Sequence, residues 1–180
     1  MHDAGNAWNP ESGQLQIEFV GPEPASRARP VARSLARSAR RSDEPQSAWD
    51  WFDLAAELEA TDPAEAYRAY ARALVQEPTF VEAHVNLGRL LQLAGRTKEA
   101  IEHYRRALGM GTTDPTAAFN LGTALEELGR WNHALASYRR AIEADEQFAD
   151  AHFNLARLYD QLGRRADALR HLRAYKWLVE

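Results

Sequence analysis

The chain has 180 residues, of which 45% are apolar, and its formal net charge is −4. This balance argues against a domain whose main ligand is a nucleic-acid backbone, since such domains are usually strongly basic. The chain contains no cysteine, which excludes disulfides and thiolate metal sites.

The first 46 residues form an arm with five of the eight prolines and few aliphatic residues. This composition does not support a packed core, and we expect the arm to be mostly disordered. Its first residues, MHDAGNAWNPESGQ, include neither a basic cluster nor an apolar run, so we expect no secretory signal. No stretch approaches the ~18 apolar residues of a membrane helix. We therefore expect a cytoplasmic protein that does not bind membranes.

Two segments of the arm carry recognisable patterns. In residues 14–20, Leu15, Ile17 and Phe19 alternate with polar residues, which is typical of an extended strand with one apolar face. A single strand is not stable alone, so this segment either docks on another surface or is a transiently extended piece of the arm. Residues 27–41 hold six arginines and no acid. This composition favours a solvated linker over a contact with nucleic acid or an acidic partner.

From Ala48 onward the residues follow helical periodicity, and we place the domain boundary at about residue 46, with the second region at 47–180. The predicted helices come in pairs. Asp62 or Thr61 is expected to cap the second helix, with Pro63 in its first turn, where the missing N–H costs nothing. Glycines are expected to end the first helix of each later pair in the left-handed conformation. These glycines are Gly95, Gly129 and Gly163.

A sequence repeat organises this region. The segment Ala83–Ala107, AHVNLGRLLQLAGRTKEAIEHYRRA, returns 34 residues later as AAFNLGTALEELGRWNHALASYRRA and again 34 residues later as AHFNLARLYDQLGRRADALRHLRAY. A fixed period of this length indicates stacked helix pairs that share one continuous core. The sequence therefore predicts an all-α solenoid.

Small residues recur in each unit where paired helices touch, and large ones recur where the helices interlock. In the first unit these residues are Trp51, Leu54, Ala55, Leu58, Ala66, Tyr70, Ala73 and Pro78. The pattern resembles four tetratricopeptide repeats, at about residues 48–79, 80–114, 115–148 and 149–180. This resemblance implies a right-handed α-solenoid whose concave face binds extended peptides.

A second resemblance includes the arm. The segment ESGQLQIEF, followed by WDWFDLAAELEATDPAEAYRAYARAL, is similar to the C-terminal part of bacterial MerR-type regulators that carry tetratricopeptide repeats. Those proteins begin with a helix-turn-helix domain. From their composition we do not expect the first 46 residues of this chain to contain three helices, so DNA binding does not follow from this resemblance.

The chain lacks the common catalytic motifs. It contains no phosphate-binding glycine loop, no GxSxG elbow and no HExxH pair. We expect a protein that is not an enzyme and that binds neither a cofactor nor a metal ion.

The titratable residues give no contrary signal. The adjacent acids Glu126 and Glu127 point to different faces of a helix, and we expect both to be solvated. Four of the six histidines recur at shared repeat positions, and equivalent positions lie about one repeat apart, which favours packing or a surface role over metal binding. They are His84 and His152 at one position, and His103 and His171 at the other.

A row of asparagines predicts a binding surface. Asn86, Asn120 and Asn154 stand immediately before a leucine that recurs in the first helix of units two to four, and Asp53 stands there in unit one. In tetratricopeptide repeats this position lines the concave groove, where an amide both donates to and accepts from a peptide backbone. We expect these asparagines to have no structural role; the alternative is that asparagine is merely common there. The other expected groove residues are Phe52, Val85, Phe119, Phe153, Arg89, Thr123 and Arg157.

These patterns predict a protein–protein interaction module that binds an extended peptide or partner segment. The alternative is a regulatory, transcription-related subunit whose repeats mediate assembly and whose arginine-rich segment contacts nucleic acid or acidic partners. In the last helix, Tyr175, Trp177 and Leu178 stand at an edge that we expect no further repeat to cover. We expect this edge to support a homodimer.

Overall fold

The computed structural model describes residues 45–180, and the arm segments 14–20 and 27–41 lie outside the described residues. The described part consists of eight α-helices without a β-strand. None of these helices is both long and apolar enough to cross a membrane. The helices are α1 Ala48–Leu58, α2 Pro63–Gln76, α3 Val81–Leu93, α4 Thr97–Gly109, α5 Pro115–Glu127, α6 Trp131–Ala144, α7 Ala149–Gln161 and α8 Arg165–Val179.

The helices pack as four successive pairs, and each pair stacks on the next. The first helices α3 and α5 also touch each other directly, so the first helices lie on the inner side of the stack. We call the exposed residues of α1, α3, α5 and α7 the inner surface, and those of α2, α4, α6 and α8 the outer surface. The predicted all-α solenoid of four helix pairs is confirmed.

Local sequence signals set the helix ends. The Asp62 side chain accepts a hydrogen bond from the backbone N–H of Glu65 at 3.0 Å, and Pro63 occupies the first position of α2, as expected. Ser47 and Asp50 form a reciprocal capping box at the start of α1. The three predicted glycines all have positive φ angles and follow the first helix of their pair. These angles are 75° at Gly95, 69° at Gly129 and 73° at Gly163.

Two glycines allow the closest approach between paired helices. A Cβ atom added at Gly88 would lie 2.6 Å from Cε1 of Tyr104, and one added at Gly122 would lie 2.5 Å from Cε1 of Tyr138. Both tyrosine side chains are fully buried. Each ring therefore rests directly on the backbone of the facing helix, which a larger residue would prevent.

Gly122→Ala is expected to lower the free energy of unfolding by about 1–2 kcal/mol, because overpacking against Tyr138 outweighs the gain in helix propensity. Urea unfolding followed by circular dichroism measures this change. Gly109→Ala is the matched control, since Gly109 is also helical, but a Cβ atom there meets nothing within 4 Å. A Gly122→Ala protein as stable as Gly109→Ala would contradict this packing.

Candidate interaction surface

The asparagine row lies on the inner surface, and its members are half-buried. Nδ2 of Asn86 donates to the hydroxyl of Tyr70 in the preceding helix pair, at 3.3 Å. Asn154 makes the same contact with Tyr138 of its preceding pair. The expectation that these asparagines have no structural role is therefore wrong for Asn86 and Asn154, because each connects two neighbouring helix pairs.

Each asparagine contact belongs to a larger polar cluster at the junction of two pairs, which we call a junction cluster. At the first junction, the Tyr70 hydroxyl donates to Glu59 at 2.6 Å, and Arg89 forms an ion pair with the same carboxylate. Burial and the neighbouring Glu59 raise the pKa of Tyr70, so its hydroxyl stays protonated and donates. This junction cluster joins the first and second pairs through an ion pair and through hydrogen bonds of neutral groups.

The third junction repeats this arrangement. The Tyr138 hydroxyl donates to Glu126 at 2.9 Å, and Nη2 of Arg157 donates to the other carboxylate oxygen at 2.5 Å. The Glu126 side chain is only 13% exposed and that of Arg157 27% exposed. The expectation that Glu126 is solvated is wrong, because its face of α5 meets the next helix pair, whereas Glu127 is exposed.

The second junction has neutral residues in place of the Glu–Arg ion pair. The Tyr104 hydroxyl donates to Oε1 of Gln92 at 3.0 Å, and Nε2 of Gln92 donates to Thr123 at 3.3 Å and to Glu127 at 2.5 Å. Gln92 holds the repeat position of the junction glutamates, and Thr123 that of the junction arginines. Both residues of the ion pair are thus replaced together. Asn120 lies beside this cluster, where its backbone carbonyl accepts from the Thr123 hydroxyl at 2.9 Å.

The expected aromatic groove residues are half-buried and fill the helix pairs, and Val85 is 6% exposed. Each phenylalanine packs against a tyrosine of the second helix in its own pair. The centroid distances are 5.6 Å for Phe52 and Tyr70, 5.7 Å for Phe119 and Tyr138, and 5.2 Å for Phe153 and Tyr175. The buried part of each ring therefore packs beneath the inner surface, and the exposed part belongs to that surface.

A cleft of about 290 Å³ opens on the inner surface between α5 and α7, and Asn154 and Arg157 line it. Gln161 also lines this cleft, and so does Trp131, which reaches it from the first position of α6 although the other exposed residues of α6 belong to the outer surface. The sequence interpretation missed both. The signal for Trp131 was present, because the corresponding residues of the other pairs are not aromatic. They are Pro63, Thr97 and Arg165. A second cleft of about 340 Å³ lies between Trp51 and α2, on the outer side, and contains none of the predicted groove residues.

The residues expected to support self-association lie in different environments on α8. Tyr175 is half-buried against Phe153, and Leu178 is half-buried as well. Trp177 is 77% exposed and holds the repeat position of Val75, which is 78% exposed on the outer surface. Self-association through these residues stays a prediction.

The recurring histidines form pairs within one helix pair. The Nδ1 atoms of His84 and His103 lie 3.0 Å apart, and Nε2 of His84 lies 3.1 Å from the carbonyl oxygen of Pro78. Since a carbonyl only accepts, Nε2 of His84 carries the hydrogen, and its Nδ1 accepts from Nδ1–H of His103. His152 and His171 repeat this geometry with Nδ1 atoms 3.1 Å apart. Each of these contacts therefore needs one imidazole whose Nδ1 is unprotonated and accepts.

The histidine pairs predict a pH-dependent stability. Burial, followed by the partner imidazole, lowers the pKa of His103 and of His171 to about 4, and burial lowers the pKa of His84. Between about pH 6.5 and pH 4 the unfolded chain therefore binds protons that the folded chain does not. The free energy of unfolding is expected to fall as the pH decreases through this window. The upper limit is about 1.4 kcal/mol per pH unit for each histidine, and half-exposed side chains contribute less.

The third helix pair supplies the control, because Ala118 and Ser137 stand at the two histidine positions. A protein with His84→Ala, His103→Ser, His152→Ala and His171→Ser should lose less stability between pH 7 and pH 5 than the unsubstituted chain. Urea unfolding at both pH values measures the difference, and protonation of carboxylates affects both proteins alike. An unchanged pH dependence would show that the pairs do not resist protonation.

Comparisons with known proteins agree with this architecture. Residues 55–118 and 151–178 match family models described as tetratricopeptide repeat, and residues 123–163 match one described as TPR repeat. No curated protein matches the sequence. None of the family matches supports the resemblance to MerR-type regulators.

Solved structures of MamA are similar to the described helices. One crystal structure of MamA is 20% identical, with a TM-score of 0.70, and the match covers 75% of this chain and 80% of that one. A second MamA structure is 26% identical, with a TM-score of 0.68 and coverage of 73% and 72%. The MamA fragment 41-end from Desulfovibrio magneticus RS-1 is 16% identical, with a TM-score of 0.66 and coverage of 73% and 75%. These similarities show the fold.

Proposed function

Because this chain belongs to the tetratricopeptide repeat proteins, a family of protein-interaction scaffolds, we propose that its inner surface binds an extended segment of a protein partner. An extended segment presents backbone N–H and C=O groups at regular intervals. A stack of equivalent helices presents equivalent side chains at regular intervals as well. The two periodic structures therefore suit each other.

The row of Asn86, Asn120 and Asn154 carries this proposal. An asparagine amide has two N–H donors and one oxygen acceptor, and the contact of Asn86 with Tyr70 uses one of these donors. The junction contact also fixes the orientation of the amide before a partner arrives. A preorganised amide loses less conformational entropy on binding, so the junction clusters favour a binding role for the asparagines.

The charges of the inner surface favour a partner segment that is neutral or basic. Arg89 and Arg157 are paired with junction glutamates, whereas Glu82, Glu127 and Asp150 are exposed. An acidic segment would meet these carboxylates and be repelled. The inner surface also lacks the carboxylate clamp by which some relatives bind C-terminal acidic peptides.

Selection from a displayed library of random 12-residue peptides tests this proposal with the full chain as the target. Thr116 on α5 and Ala136 on α6 are both small and exposed, one on each surface. Selected peptides should lose binding to Thr116→Trp and keep their affinity for Ala136→Trp, as measured by calorimetry. Peptides that bind both variants equally would contradict an inner binding surface.

A further inference from the structure

We propose that the cleft between α5 and α7 is a pocket for a basic side chain of the partner segment, with arginine favoured over lysine. This inference rests on the proposed function, since it names one side chain of the segment that the inner surface binds. Three features of the cleft carry it: an exposed tryptophan, an excess of acidic groups, and amide groups at its rim.

The tryptophan is Trp131, the first residue of α6, which is 42% exposed at the cleft. The other helix pairs begin their second helix with proline, threonine or arginine, so stacking of the pairs does not require an indole at this position. Exposed tryptophans are enriched among the residues that dominate binding energy in protein interfaces. The face of an indole also binds cations, and it does so better than any other aromatic side chain.

The acidic excess comes from Glu126 and Glu127, which both line the cleft. The charge of Glu126 is matched by Arg157, the basic residue among those that line the cleft. Glu127 is exposed, and its carboxylate accepts hydrogen bonds from the neutral groups of Gln92 and Thr97. These neutral donors orient the carboxylate without neutralising it. The cleft therefore keeps one net negative charge beside the indole.

The rim adds further acceptors. The amides of Asn154 and Gln161 line the cleft from α7, opposite the glutamates of α5. A guanidinium group is planar and carries five N–H donors, so it can stack on an indole and donate to a carboxylate and an amide oxygen at the same time. An ammonium group satisfies fewer of these contacts. This difference is the reason for the preference for arginine.

The other junctions do not offer this combination. At the second junction, Thr97 replaces the tryptophan and Leu93 replaces Glu127. The pocket therefore specifies one position of the partner segment, whereas the asparagine row contacts the backbone at several. A segment bound on the inner surface is expected to have its basic residue near the last two helix pairs.

The test is an NMR titration of the full chain with the tripeptide acetyl-Gly-Arg-Gly-amide, observed at the indole N–H signal of Trp131. This signal is assigned by its loss from the spectrum of the Trp131→Phe variant. The matched probe replaces arginine by citrulline, which has the same shape without the charge. We expect a saturable shift with the arginine probe and about tenfold weaker binding of the citrulline probe. Glu127→Gln should lower the affinity for the arginine probe about fivefold. Glu102→Gln on the outer surface should leave this affinity unchanged.

Equal affinity of the two probes, or an unchanged affinity after Glu127→Gln, would overturn the pocket. The library-selected peptides separate this failure from a failure of the proposed function. If these peptides do not bind Thr116→Trp, but exchange of their arginine for citrulline leaves their affinity unchanged, the pocket proposal is wrong and the inner surface is still the binding surface. If Thr116→Trp has no effect, the proposed function fails as well.

Discussion

Arg157→Thr is expected to lower the free energy of unfolding by about 2–3 kcal/mol, because it removes the cation from an ion pair that is largely shielded from water. The substitution leaves the Glu126 carboxylate, which is 13% exposed, with the Tyr138 hydroxyl as its remaining donor at this junction. A carboxylate that has lost its cation in a poorly solvated position is costly. The effect stays below that of a fully buried pair because the Arg157 side chain is 27% exposed.

The second junction indicates which second substitution should restore the lost stability. Glu126→Gln combined with Arg157→Thr reproduces the neutral pair of Gln92 and Thr123. The double variant should regain most of the lost stability, to within about 1 kcal/mol of the unsubstituted chain. Denaturant unfolding of the two single variants, the double variant and the unsubstituted chain gives the coupling energy of the pair.

Arg68→Thr is the control for the loss of an arginine at the surface. Arg68 pairs with Glu65 within one helix, and its side chain is 67% exposed. Its replacement should cost less than about 0.5 kcal/mol. If Arg157→Thr costs no more than this, or if the double variant is no more stable than Arg157→Thr alone, the junction clusters do not hold the pairs together.

The asparagine row predicts the second large effect, on binding. If Asn86, Asn120 and Asn154 hold a peptide backbone, each contributes about 0.5–1.5 kcal/mol, so the triple change to alanine should weaken peptide binding roughly ten- to a thousandfold. The structure adds a loss of stability in the triple variant, because Asn86 and Asn154 also bond junction tyrosines.

Asn120→Ala separates the two roles. At its junction the hydroxyl of Tyr104 already donates to Gln92, so this substitution should weaken binding about three- to tenfold with little change in thermal unfolding. Calorimetry with a selected peptide, alongside thermal unfolding of each variant, provides both quantities. Normal binding by the triple variant, or a loss that merely follows unfolding, would show that asparagine is common at this position without a binding role.

Much of the fold could be predicted because its signals are local. Asp62 and Pro63 start α2, and Gly129 ends the turn after α5, through interactions within a few residues. The 34-residue period then fixes how equivalent helices stack. Neither inference requires knowledge of which atoms meet across a junction.

The candidate site was less predictable because it depends on contacts between pairs. Glu126 and Glu127 are neighbours in sequence, but Glu126 bonds with the next pair through Arg157, 31 residues away, whereas Glu127 accepts from Gln92 and Thr97 of the preceding pair. Similarly, His84 recurs with His152 in sequence but bonds with His103 in space. A signal did exist: Gln92 and Thr123 replace a glutamate and an arginine together, which marks the two positions as partners.

Site-specific photo-crosslinking of a bound peptide tests the inner surface most directly. Leu93 is 74% exposed on α3, at the repeat position of cleft residues Glu127 and Gln161, and Val75 is 78% exposed on α2. Each is replaced in turn by benzoylphenylalanine in the full chain. We expect a selected peptide to crosslink at position 93 and not at position 75. Excess unlabelled peptide should suppress the crosslink at position 93. Crosslinking at position 75 alone, or equally at both positions, would contradict an inner binding surface.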